Sequence, residues 1–120
     1  MARILLADDD QATRELVKRA LEAEGHVVEV TQDGTEALEK LKAGPNAIDV
    51  LVSDVHMPGL DGIELAGRAL ASVPALKLLF MSGFTEELER ARAVKANRLG
   101  VISKPFTLDQ IRSAVRALLD

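Results

Sequence analysis

The sequence predicts an α/β fold, a parallel sheet covered on both faces by helices. Three observations predict it. Short apolar runs alternate with stretches of helical periodicity, five of each, along 120 residues. One run, Val50-Leu51-Val52-Ser53-Asp54, is apolar on successive residues, as in the buried middle of a parallel sheet. No linker, repeat or low-complexity segment interrupts the alternation, so residues 1–120 form one domain.

The first strand is Ile4-Leu5-Leu6-Ala7, followed by Asp8-Asp9-Asp10. Asp10 is placed to cap a helix whose inner face carries Ala12, Leu16, Val17, Ala20 and Leu21, and Gly25 ends it. His26–Val30 is the second strand. Asp33-Gly34 opens a second helix with Ala37, Leu38 and Leu41 inward, and Gly44-Pro45-Asn46 closes it. The central strand runs into Asp54, and Pro58-Gly59 prevents regular continuation. A third helix starts near Leu60–Gly62, with Ile63, Ala66 and Leu70 at helical spacing. Pro74 breaks the chain before a fourth strand, Leu76–Met81, closed by Ser82-Gly83. Thr85–Lys95 is helical but thin in large apolar residues, and Asn97 is expected to end it in the left-handed conformation. Val101-Ile102-Ser103 is the fifth strand, ending at Lys104-Pro105. Thr107 and Gln110 form a capping-box pair for a last helix with Leu108, Ile111, Val115, Leu118 and Leu119 inward.

Composition removes several classes of function. Net charge is −4 with no basic block, against a nucleic-acid surface. Trp and Tyr are absent and Phe numbers three, so there is no aromatic platform for bases. Cysteine is absent, which excludes disulfides and thiolate chemistry and is compatible with a cytoplasmic location. The N-terminus reads straight into a strand rather than a signal peptide, and no apolar run reaches membrane-spanning length.

The chemistry-bearing residues follow strand ends. Asp8 and Asp9 follow the first strand, Asp54 ends the third, Ser82 follows the fourth and Lys104 the fifth. In a parallel sheet these ends share one edge, where open α/β sheets bind ligands. Singly, each has a plain structural reading: an Asp caps, a Ser before Gly turns, a Lys-Pro sits in a surface loop. Convergence is what favours a site. No glycine-rich loop follows the first strand, against a Rossmann or P-loop nucleotide site. Three gathered carboxylates should raise at least one pKa unless a cation joins them. Mg²⁺, which takes a few carboxylate oxygens and keeps waters, resolves that conflict. Carboxylates, a lysine and a hydroxyl then make a phosphoryl-transfer set, with Asp54 as nucleophile.

Asp8-Asp9, Ser53-Asp54-Val55-His56-Met57-Pro58, Leu60-Asp61-Gly62, Ser82-Gly83 and Lys104-Pro105-Phe106 together resemble the signature of response-regulator receiver domains, over the whole chain and in order. The resemblance implies a flavodoxin-like (CheY-like) doubly wound sheet of order 2-1-3-4-5 with five helices. It implies that Asp54 is the phosphoacceptor, and that Asp9, Asp54 and the main-chain carbonyl of His56 hold Mg²⁺, with Asp8 assisting through water. Ser82 and Lys104 would contact the phosphoryl group, and the Lys104-Pro105 bond would be cis. The donor would be a histidine kinase or histidine phosphotransfer protein, and the output a downstream protein effector. Neither nucleic acid nor membrane is an expected partner. Asp54–Ala66 and Phe80–Phe84 also look similar to stand-alone bacterial receivers that control cell-cycle proteolysis, which would make that effector a protease or its adaptor. The chain would then be a natural single-domain regulator; otherwise it is the N-terminal piece of a longer one.

One position departs from the pattern. Receivers usually carry Tyr or Phe three residues before the lysine, where this chain has Val101. Phosphorylation does not need that aromatic, but its inward swing cannot report the event. Ser82, Phe84 and the charged helix from Thr85 are the alternative route. His56 borders the pocket rather than donating the phosphoryl group, and His26 is a strand-end surface residue. The expected protein is a switch with self-catalysed phosphoryl uptake and loss, not an enzyme with an external substrate. Two alternatives stand beside it. A Mg²⁺-dependent aspartyl-phosphate phosphatase of the haloacid-dehalogenase type would want a second Asp where His56 stands. A phosphorylation-independent pseudo-receiver would lack an acidic residue or the lysine, and this chain retains them.

Overall fold

The computed structural model describes all residues, Met1–Asp120. Strands and helices alternate throughout: β1 Arg3–Ala7, α1 Gln11–Ala23, β2 Val27–Thr31, α2 Gly34–Ala43, β3 Val50–Asp54, α3 Gly62–Ser72, β4 Lys77–Ser82, α4 Thr85–Arg92, β5 Arg98–Ser103 and α5 Leu108–Leu119. All strand pairs are parallel, in the order β2-β1-β3-β4-β5. The chain reverses its direction of travel across the sheet between β1 and β3, the switch point where such sheets open a crevice.

Strand side chains alternate between two cores. Leu5, Ala7, Leu51, Leu78 and Phe80 pack with buried residues of α2, α3 and α4. Ile4, Leu6, Val50, Val52, Leu79 and Met81 pack with Val17, Ala20 and Leu21 of α1 and Ile111, Val115 and Leu118 of α5. β3 is buried along its whole length, whereas the edge strands β2 and β5 are not. Continuous apolar character in β3 is therefore the mark of its central place.

The caps of α1 and α5 and the opening of α2 at Asp33 are as the sequence implies, and Asp61 caps α3. The side chains of Asp10, Asp33 and Asp61 accept from the main-chain N–H of Thr13, Glu36 and Glu64. Thr107 and Gln110 form a reciprocal capping box. Gly25, with φ at +90°, lies just beyond α1 where a left-handed residue is needed.

Four expectations need correction. Ala12 and Leu16 do not face the core; Leu16 is 43% exposed, because the buried stripe of α1 starts at Val17, a hundred degrees round the helix. Leu108 and Leu119 are likewise exposed, while Ile111, Val115 and Leu118 form the buried stripe of α5. α4 ends at Arg92 rather than Lys95, and Asn97 is not left-handed, since only Gly25 and Gly59 have positive φ. β5 begins at Arg98 rather than Val101. Gly100 hid that start, because glycine is a poor strand former. Its place is steric: a Cβ there would lie 3.2 Å from Leu79 Cδ1.

Candidate functional site

Asp8 follows β1 immediately, and Asp54 closes β3. In register, Ala7 lies beside Ser53, so these carboxylates meet at the switch point. One oxygen from each of Asp8, Asp9 and Asp54 falls within a sphere of mutual distances of 4.8 Å. Asp8 and Asp54 are buried and Asp9 is exposed, so the cluster has a dry floor and an open side. Asp8 Oδ1 accepts from the Asp10 N–H at 2.9 Å, while Asp8 Oδ2 is buried with no hydrogen-bond partner. An unsatisfied buried carboxylate oxygen beside two further carboxylates fits a hard divalent cation.

Lys104 reaches the cluster from beyond β5. Its Nζ donates to Asp54 Oδ2 at 3.0 Å and lies 3.9 Å from Asp8 Oδ2. Its main-chain N–H donates to the Ser82 carbonyl at 2.8 Å, which prolongs the β4–β5 ladder and fixes its stem. The Lys104-Pro105 bond is cis.

Burial pushes the Asp8 carboxyl up to about 6, against the lowering effects of the Asp10 N–H and the Lys104 charge. Asp54 is also raised, first by burial, while Lys104 pulls it down and Asp9 and Glu87 push it up. The rise expected from crowded carboxylates is present, but loss of water is its larger cause and mutual repulsion the smaller.

Ser82 is the last residue of β4, buried, rather than a residue beyond it. Its hydroxyl is engaged with partners outside the cluster: it donates to Glu87 Oε1 at 2.5 Å and accepts from the Phe84 N–H at 3.0 Å. Glu87 was not among the residues marked by the sequence. The only signal was a carboxylate five residues after Ser82, in the first turn of α4, among several other charges. His56 lies in the β3–α3 loop with its side chain exposed. His26 does more than cover a strand end: its Nδ1 accepts from the Ala2 N–H at 3.0 Å. Val101 is half-buried and packs against the core shared by α2, α3 and α4.

Gly62 sets the approach of α3 to the site. Its N–H donates to the Val55 carbonyl at 2.8 Å, and a Cβ there would lie 2.2 Å from the Asp54 carbonyl oxygen.

A doubly wound sheet of this order, with an acidic carboxyl edge faced by a lysine, is the arrangement that the resemblance to receiver domains implies. The chain belongs to that class: the response regulator receiver domain family matches residues 4–116. Among relatives, the response regulator MprA of Mycobacterium ulcerans (strain Agy99) is 38% identical over 117 residues, which are 98% of this chain and 50% of that protein. The chain thus spans about half the length of the curated relatives it matches. The chemotaxis protein CheY4 of Vibrio cholerae superposes with a TM-score of 0.86 at 29% identity, covering 98% of both chains. The response regulator TrrA of Thermotoga maritima, solved in complex with Mg²⁺ and BeF, gives 0.85 at 30% identity, covering 98% of this chain and 99% of that one.

Proposed function

We propose that the protein is a phosphorylation switch of a phosphorelay, with Asp54 as phosphoacceptor. The observation that carries this reading is the meeting of Asp8, Asp9 and Asp54 within 4.8 Å of one another, with the Lys104 ammonium 3.0 Å from Asp54 Oδ2. Asp9, Asp54 and the main-chain carbonyl of His56 would hold Mg²⁺. Asp8, whose buried Oδ2 has no hydrogen-bond partner, would assist through water. When bound, Mg²⁺ supplies neutralising charge to the phosphoryl oxygens during transfer.

A carboxylate oxygen of Asp54 attacks phosphorus in line. The bond from phosphorus to the donor nitrogen breaks, its electron pair stays with the donor imidazole, and an acyl phosphate forms on Asp54. Lys104 then exchanges its bond to Asp54 Oδ2 for one to a phosphoryl oxygen, acting as a compact point charge. Ser82 donates to a second phosphoryl oxygen. Burial of Asp54 strengthens each of these interactions and limits water.

The donor is a histidine kinase or a histidine phosphotransfer protein in the cytoplasm. The output is altered contact with a protein effector; the resemblance to proteolysis-controlling receivers implies a protease or its adaptor. The protein turns over no external substrate. Incubation with acetyl phosphate and Mg²⁺ should add one phosphoryl group by intact mass, and Asp54→Asn should abolish it. Uptake that persists in Asp54→Asn would defeat the assignment.

A further inference from the structure

The Ser82 hydroxyl has one proton to give. A 2.5 Å contact with Glu87 Oε1 lies in the range of a charge-assisted O–H to carboxylate bond, whereas the alternative acceptor, the Phe84 carbonyl, is 3.4 Å away. While that proton is given to Glu87 it cannot be given to a phosphoryl oxygen.

Glu87 stands apart from its neighbours. Glu86 and Glu89 are exposed, whereas Glu87 is half-buried against the end of β4. Its charge also reaches Asp54, whose carboxyl it helps to raise. The helix that carries it is weakly held. α4 buries only Leu88 and Ala91, and its cap residue Phe84 makes no side-chain cap bond. One other polar tie, Arg90 to Asp61 at 3.6 Å, joins α4 to the start of α3. The Ser82–Glu87 bond is therefore a main fastening of its first turns.

We propose that Glu87 is a positioning residue: it holds the Ser82 hydroxyl in the unphosphorylated protein, and a phosphoryl group on Asp54 must take that hydroxyl from it, releasing the start of α4. This rests on Asp54 as phosphoacceptor. The phosphoryl group brings between one and two negative charges and three acceptor oxygens to the place where Glu87 already acts on Asp54. Once Ser82 turns to it, Glu87 loses its donor and faces a stronger like charge. Both effects push the helix away from β4. Val101 need not move, so this route works without an aromatic at that position.

The test is the affinity for beryllofluoride, a phosphoryl mimic, in Mg²⁺, for the wild type, Glu87→Ala, Ser82→Ala and the double variant. Glu87→Ala should tighten binding roughly tenfold, about the worth of one hydrogen bond to a charged group. In the Ser82→Ala background the gain should shrink to about twofold, the share due to charge alone. Unchanged affinity in Glu87→Ala, or an equal gain in both backgrounds, would overturn the proposal. A second readout needs no phosphoryl mimic: amide exchange in α4 should quicken in Glu87→Ala and in Ser82→Ala alike, and unchanged exchange would remove the fastening. If α4 exchange responds but the wild type neither binds beryllofluoride nor takes up a phosphoryl group, the phosphoacceptor reading fails; the competition fails with it and only the fastening stands.

Discussion

Asp8 carries the sharpest conflict of any side chain in the molecule. It is fully buried, one oxygen has no partner, and its carboxyl is held at about 6. An acid whose folded pKa lies above its unfolded value binds more protons folded than unfolded. Stability is therefore lost as pH rises, here across the window from 3.8 to about 6. With divalent cations chelated, Asp8→Asn should flatten that decline and raise stability at pH 7, by no more than about 3 kcal/mol. Urea unfolding at pH 5 and pH 7 measures it, and an equal slope in both proteins would show that Asp8 is not the titrating group. Asp54 is shifted in the same direction and should leave a residual slope. These carboxylates and Lys104 were legible in the sequence because each follows an apolar run, and a parallel sheet brings such ends together. Glu87 was not legible. Its importance depends on which way one hydroxyl turns, and residue spacing carries no record of that.

Elements follow from the sequence in proportion to how much they bury. β3, buried throughout, was readable from its apolar run and its end at Asp54. The end of α4 and the start of β5 were not, since an eight-residue helix with two buried residues and a strand containing Gly100 leave little pattern at those boundaries. The junction from β3 to α3 shows how closely elements must approach to set a site. A methyl group on Gly62 would meet the Asp54 carbonyl oxygen at 2.2 Å and Ser53 Oγ at 3.0 Å. Both belong to a packed central strand, so the backbone of the phosphoacceptor itself must shift. Gly62→Ala should cost about 2 kcal/mol or more despite alanine's better helix propensity. Gly67, exposed in the same helix with nothing within 4 Å of an added Cβ, is the internal control. There the same change should stabilise by up to about 1 kcal/mol. Denaturant midpoints for the two variants should move in opposite directions, and a shared direction would mean that the close approach at Gly62 relaxes freely.

At the scale of the whole molecule, the acidic cluster is a cost that only the complete fold incurs. Asp8 and Asp9 come from the end of β1, Asp54 from β3 and the compensating Lys104 from beyond β5. In the unfolded chain Asp54 and Lys104 are far from the adjacent Asp8-Asp9 pair and all four are solvated; folding gathers them and removes water from two of the three carboxylates. One ammonium cannot balance three carboxylates, and it is bonded to Asp54 with Asp8 Oδ2 out of hydrogen-bond reach at 3.9 Å. A divalent cation in the cluster binds the folded protein and has no assembled site in the unfolded one, so its binding energy adds to folding stability. At a Mg²⁺ concentration ten times its dissociation constant the gain is about 1.4 kcal/mol, which for a domain of this size raises Tm by about 5 °C. Asp9→Ala should reduce that shift to a degree or two at the same Mg²⁺ concentration. It removes the one exposed carboxylate and leaves the buried pair with Lys104. Thermal unfolding with Mg²⁺ and with chelator, for both proteins, measures the difference. A full shift in Asp9→Ala would place the cation away from the carboxyl ends of β1 and β3.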